Sequence, residues 1–166
     1  MYKDIKIYNK HVAFWGSPLS NFYECSFEEK GIVWKSSEQC FMAKKAAYFD
    51  DFEIYDMILE TETPKDAKKL GRQVRDFDSN KWLEVCFDEM YDAVYAKFSQ
   101  NEDLKKLLLS KDFECKGFVE GSPFDEIWGV KIDWRNPDID EECNWQGQNL
   151  LGKVLDKVRE ELKNHR

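Results

Sequence analysis

Hydrophobic positions recur along this chain with two periods, and the switches between them mark out the elements. From Met1 to Phe14 the alternation is loose, with Ile5 and Ile7 on one side and Val12 to Phe14 in a second run, which predicts one or two strands. After the turn-forming stretch Gly16 to Asn21, Phe22 to Phe27 and Ile32 to Trp34 flank Glu28 to Gly31, a hairpin whose glycine supplies positive φ. The pattern then becomes helical. Ser36 and Gln39 have the capping-box spacing at the head of a helix running toward Phe49. A second helix follows Asp50 and Asp51 to about Leu59, with Phe52, Tyr55, Ile58 and Leu59 inward. Thr63 and Pro64 open a third that Gly71 ends. Asn80 to Phe98 is the longest amphipathic stretch, and Glu102 to Leu109 is a shorter helix. Phe118 to Glu120 and Ile127 to Ile132 read as strands around the loop Gly121 to Asp125. The polar segment Arg135 to Glu142 reads as a mobile lid or an ordered surface loop. Leu150 to Leu162 closes the chain as an amphipathic helix. Helices and short strands that do not alternate regularly predict an α+β fold, mainly helical. The 166 residues suit one domain spanning 1–166, without internal repeats or a linker.

One helix carries charge where the pattern calls for oil. At about 100° per residue, Glu38, Phe41, Met42, Lys45 and Phe49 share a face of the helix that begins at Ser36. Glu38 and Lys45 are two turns apart, about 10 Å along the axis, which suits gripping one small ligand from two sides. The plainer alternative is that Glu38 complements the helix N-terminus and Lys45 snorkels to water. Lys65, Lys68, Lys69, Arg72 and Arg75 form the densest basic patch, either a solvated face or a phosphate subsite in which Arg72 engages phosphate bidentately.

Composition narrows the chemistry. A net charge of −8 argues against a broad nucleic-acid-binding surface. Five cysteines without a C-x-x-C pair indicate neither a disulfide framework nor a zinc knuckle, and read as reduced, mostly buried thiols. Two histidines leave almost nothing from which to build a His-based triad or metal site, so no metal and no cofactor is expected. The apolar runs fall short of the roughly 20 residues of a membrane span, and the N-terminus lacks a signal pattern, so a cytoplasmic protein is expected. With 15% aromatic residues, some rings are available to stack on a flat ligand.

Five segments together resemble the NADAR (YbiA-like) family: Leu19-Ser-Asn-Phe-Tyr23, Ser37-Glu-Gln-x-Phe-Met-x-x-Lys-Ala46, Ala67-Lys-x-Leu-Gly-Arg72, Ser122-Pro-x-Asp-x-x-Trp-Gly129 and Trp145-x-Gly-x-Asn-Leu-Leu-Gly152. The resemblance implies an N-glycosidase that cleaves a ribose-to-nitrogen bond, on ADP-ribosylated guanine in nucleic acid or on ribosylaminopyrimidine phosphates of riboflavin synthesis. A noncatalytic ADP-ribose or nucleotide-binding module is the alternative. Carried over residue by residue, Glu38 and Lys45 are the reacting pair. Asp125 is a further acid or base, unless it only caps its loop. Trp128 beside Gly129 stacks on the base or packs in the core, and Asn21 meets ribose hydroxyls or ties its own turn. Phe22 lines the pocket, and Lys68 and Arg72 hold phosphate. One departure stands out. Where relatives commonly continue Trp-Gly with Ile-Gly-Leu, this chain has Val130, Lys131 and Ile132.

Overall fold

A computed structural model describes residues 2–165, and their contacts group them into two compact units. The fold is α+β and mainly helical, as the pattern predicts, with six α-helices and two small sheets among the described residues.

The first unit contains the residues up to Ser20 and those from Glu102 onward. Its sheet has the order β1-β2-β5: β1 (Ile5–Ile7) lies antiparallel to β2 (His11–Phe14), and β5 (Gly117–Glu120) lies parallel to β2. All four residues of the central β2 are buried. Against β5 packs the last helix, α6 (Leu150–Asn164), through Leu151, Val154, Leu155, Val158 and Leu162, the apolar stripe that sequence period predicts.

Ile127 to Ile132 does not form a strand. The N–H groups of Ile127 and Trp128 both donate to Asp125 Oδ1 at 2.8 Å, which curls the chain into a turn. The carbonyls of Ile127, Trp128 and Gly129 accept instead from the N–H groups of Leu150, Leu151 and Asn149. With its hydrogen bonds spent on the turn and on the start of α6, the segment buries Val130 without joining a sheet. Lys131 adopts φ 59°, the left-handed conformation that glycine takes most cheaply, which accounts for the glycine that relatives carry there. Arg135 to Glu142 is an ordered surface segment, not a lid: two 3-10 turns (Pro137–Asp140 and Glu142–Asn144) flank a fully buried Ile139, and Asp140 Oδ1 accepts from the N–H of Lys10.

The second unit, Asn21–Asn101, is built around one helix. Strands β3 (Phe27–Glu29) and β4 (Ile32–Trp34) pair antiparallel across Lys30 and Gly31, which both have positive φ, as a two-residue hairpin turn of the primed type demands. The first strand is shorter than its apolar run, because residues 22–26 lie outside the ladder. Helix α1 (Ser37–Tyr48) then packs against α2 (Phe52–Leu59), α3 (Pro64–Gly71) and α4 (Ser79–Gln100). With neighbours on several sides, α1 buries eight of its twelve residues, so the single greasy face expected from sequence is in fact most of the helix circumference. Its capping box is half formed. Ser36 Oγ accepts from the Gln39 N–H at 3.0 Å, but the Gln39 amide turns away, accepting from the Lys35 N–H and donating to the Ile58 carbonyl, and so ties α1 to the end of α2. On α2, Ile54 and Ile58 face inward, whereas Phe52 is 56% exposed. α3 starts at the expected Thr63 cap, with Pro64 in its first turn. Gly71 at its far end lies against Met42, where any Cβ would overlap the thioether, so the glycine allows α3 to approach α1 closely. The remaining helix, α5 (Glu102–Leu108), belongs to the first unit.

Candidate functional site

Six of the expected site residues, Asn21, Phe22, Glu38, Lys45, Lys68 and Arg72, lie in the second unit; Asp125, Trp128 and Gly129 lie in the first. α1 presents Glu38 in its first turn and Lys45 in its last. Glu38 is only 7% exposed, and its backbone N–H donates to the Asn21 carbonyl at 3.1 Å. Asn21 is itself fixed: its Oδ1 accepts from Ser37 Oγ at 2.9 Å and its Nδ2 reaches Met90 Sδ at 3.3 Å. Those bonds clamp the first turn of α1, so the turn-tying part foreseen for Asn21 is observed, and through it the position of Glu38 is set.

Lys45 is half-buried, and its Nζ lies 4.3 Å from the centroid of the Phe77 ring. Burial pushes its amine below the ordinary lysine value; the Glu38 carboxylate opposes that shift and the Arg72 guanidinium adds to it. Glu38, Lys45 and Arg72 thus share one electrostatic environment. Phe77 escapes sequence reasoning because it sits between α3 and α4, flanked by Asp76 and Asp78, where no periodicity marks it.

The basic face of α3 divides. Lys68 Nζ lies 5.5 Å from the centroid of the Phe22 ring, and Phe22 is part-exposed, so ring and cation form one surface. Arg72 is exposed at the helix C-terminus. Arg75 leaves the patch, because its guanidinium and backbone N–H bind the Asp51 carboxylate, with Nη2 to Oδ1 at 2.8 Å. Two anionic partners, Asp51 and Glu53, already neutralise it.

In the first unit, Asp125 holds the turn into Trp128 as described, with one carboxylate oxygen engaged by two backbone donors. Trp128 is partly buried, and Gly129 is buried where the Glu120 and Asp125 carbonyls approach. Among the described residues, no group of His, Cys, Asp and Glu has the arrangement of a metal site. No helix among them is long and apolar enough to cross a membrane. The cysteines are unpaired; Cys40 and Cys86 are buried, whereas Cys115 and Cys143 are exposed, which corrects the expectation of mostly buried thiols.

A buried carboxylate and a half-buried amine of depressed basicity, presented by one capped helix beside a basic, ring-lined surface, define a site for a small anionic, sugar-bearing molecule. The chain belongs to the NADAR domain family, which it matches over residues 8–163. It is 40% identical over 155 residues to Protein irg-1 of Caenorhabditis elegans, covering 90% of this chain and 71% of that one. It is 41% identical over 141 residues to N-glycosidase R617 of Acanthamoeba polyphaga mimivirus, covering 85% and 82%. With the Riboflavin biosynthesis protein VVA0006 of Vibrio vulnificus it shares 34% identity over 148 residues, 89% of this chain but 36% of that longer one. The NMR structure of the E. coli protein YbiA superposes with a TM-score of 0.75 at 26% identity, covering 98% of this chain and 90% of that one.

Proposed function

We propose that this chain is an N-glycosidase that hydrolyses the bond between ribose and nitrogen in a phosphate-bearing substrate, with Glu38 and Lys45 as the reacting pair. The observation that carries the proposal is their placement: an anion and an amine of lowered basicity on a largely buried helix, where charges are retained only at a cost. Breaking the glycosidic bond builds positive charge at the anomeric carbon, and the Glu38 carboxylate stabilises that charge and takes a proton from the attacking water. The water oxygen bonds to the anomeric carbon, the bond to nitrogen breaks, and the proton passes to the departing nitrogen. In the covalent version the neutral Lys45 amine attacks the opened sugar first, displaces the nitrogen as a free amine, and is regenerated when water hydrolyses the imine. Lys68 and Arg72 hold phosphate, and the Phe22 ring covers the sugar or base beside Lys68.

Substrate class follows from the same surface: ADP-ribosylated guanine or a ribosylaminopyrimidine phosphate, each joining a ribose-to-nitrogen bond to a phosphate. The relatives named N-glycosidase support the reaction, and the riboflavin biosynthesis relative supports the second substrate. We place the activity in the cytoplasm, which unpaired cysteines favour. The test is a mass-spectrometric product screen with both substrates. Release of free base or aminopyrimidine from one of them is expected, and release from neither rejects the proposal.

A further inference from the structure

On the side of α1 facing away from Glu38 and Lys45, the second unit has a cavity of about 320 Å³ between the β3–β4 hairpin, α1, α2 and α4. Trp34, Tyr48 and Tyr55 give it an aromatic wall. A charged cluster forms the rest. Lys44 Nζ bridges Glu29 Oε2 at 2.6 Å and Glu89 Oε2 at 3.2 Å. Despite burial, which lowers its basicity, Lys44 stays above the ordinary lysine value because Glu29, Cys40 and Glu89 hold its proton. The Glu29 side chain is 10% exposed, and while its Oε2 is engaged by Lys44 and by the Cys40 thiol, its Oε1 has no hydrogen-bond partner among the described residues. A buried carboxylate oxygen left without a donor is costly. Nearby Asp92 is pushed upward by burial, relieved by Lys44, and pushed upward again by Glu89 and Glu29. Three carboxylates, Glu29, Glu89 and Asp92, thus face two lysines, Lys44 and Lys30.

We propose that this cavity binds a small organic ammonium, of the size of an aliphatic diamine. The missing element is one positive charge that brings N–H donors, which a small ammonium supplies to Glu29 and Glu89 beside Lys44. Its methylenes lie against the rings of Tyr48 and Tyr55, whose faces attract a cation. A phosphate or carboxylate ligand does not fit, since the wall already carries excess negative charge. The site stands apart from the proposed glycosidase chemistry, and neither Glu38 nor Lys45 takes part in it.

The test is titration calorimetry of the full chain with diaminobutane, with butanediol as the uncharged counterpart. Saturable binding of the diamine is expected, with no binding of the diol. Glu29→Gln removes the charge and keeps the shape, and should weaken binding about 10-fold, the loss typical of a charge-assisted hydrogen bond. Ala47→Leu fills the cavity without touching a charge and should abolish binding. It decides the matter if Glu29→Gln does not fold by circular dichroism. Absence of saturable diamine binding, equal binding of the diol, or binding that survives Ala47→Leu overturns the proposal.

Discussion

Replacing Lys131 by glycine is expected to stabilise the protein. Lys131 has φ 59°, and an L-residue in that conformation carries a steric cost of roughly 1–2 kcal/mol from its Cβ against the following carbonyl. Glycine escapes that cost but surrenders more backbone freedom on folding, roughly 0.5–1 kcal/mol. Little else changes, because the lysine side chain is exposed while its neighbours Val130 and Ile132 pack with Ala13, Val119 and Ile139 in the core of the first unit. The net gain is therefore about 0.5–1 kcal/mol, or about 2 °C in Tm for a chain of this length. Urea denaturation and a thermal scan of the two proteins, side by side, measure it. A Lys131→Gly protein that unfolds at lower urea than the parent refutes the reasoning, since it shows that the lysine side chain contributes more than its backbone costs.

Lys97 is 1% exposed, and burial pulls its amine down to about 8. The unfolded chain, with a lysine pKa of about 10.4, binds the extra proton between those two values, so stability climbs with pH in that window by at most about 1.4 kcal/mol per unit. Urea denaturation at both ends of the window should show the climb in the parent and its loss in Lys97→Met; parallel behaviour contradicts it. Asp51 caps α2 and holds Arg75, and these donors keep its carboxyl well below the usual carboxylate range. Its contribution is present above the unfolded value of about 3.9 and vanishes as pH falls through the lower folded value. Asp51→Asn should therefore have a lower Tm at neutral pH, with the gap closing in acid; a gap that widens in acid counts against it. Phe77→Leu keeps apolar bulk beside Lys45 but removes the ring that favours its ammonium form, worth about 0.5–1 kcal/mol. The basic limb of the pH–rate profile should move down by about half a unit, and an unchanged limb means the ring is irrelevant to the amine.

The sequence foretold the elements whose signals are local. Ser36 and Thr63 cap the helices they were expected to cap, and Gly31 takes the positive φ of the hairpin. Misreadings arose where tertiary partners decide. Ile127 to Ile132 has the apolar run of a strand, but its backbone bonds go to Asp125 and to the start of α6, about 20 residues on, which no local pattern encodes. The Gln39 amide prefers the end of α2 to its own cap for the same reason. Within the site, helical period placed Glu38 and Lys45 on one face, because that is geometry within one element. It could not foresee that Asp51 removes Arg75 from the basic patch, that Phe77 underlies Lys45, or that Lys44, the neighbour of the reacting lysine, bridges two carboxylates on another side of the helix.

The account stands most directly on Glu38→Gln, an isosteric change that removes the carboxylate charge from a nearly fully buried position. Single-turnover kinetics with whichever ribosylated substrate the product screen identifies, paired with equilibrium binding of that substrate, separates chemistry from capture. Turnover should fall by roughly 100-fold or more, as for loss of a positioned acid–base group, with affinity nearly unchanged. Turnover equal to that of the parent protein contradicts the assignment of Glu38 to the bond-breaking step.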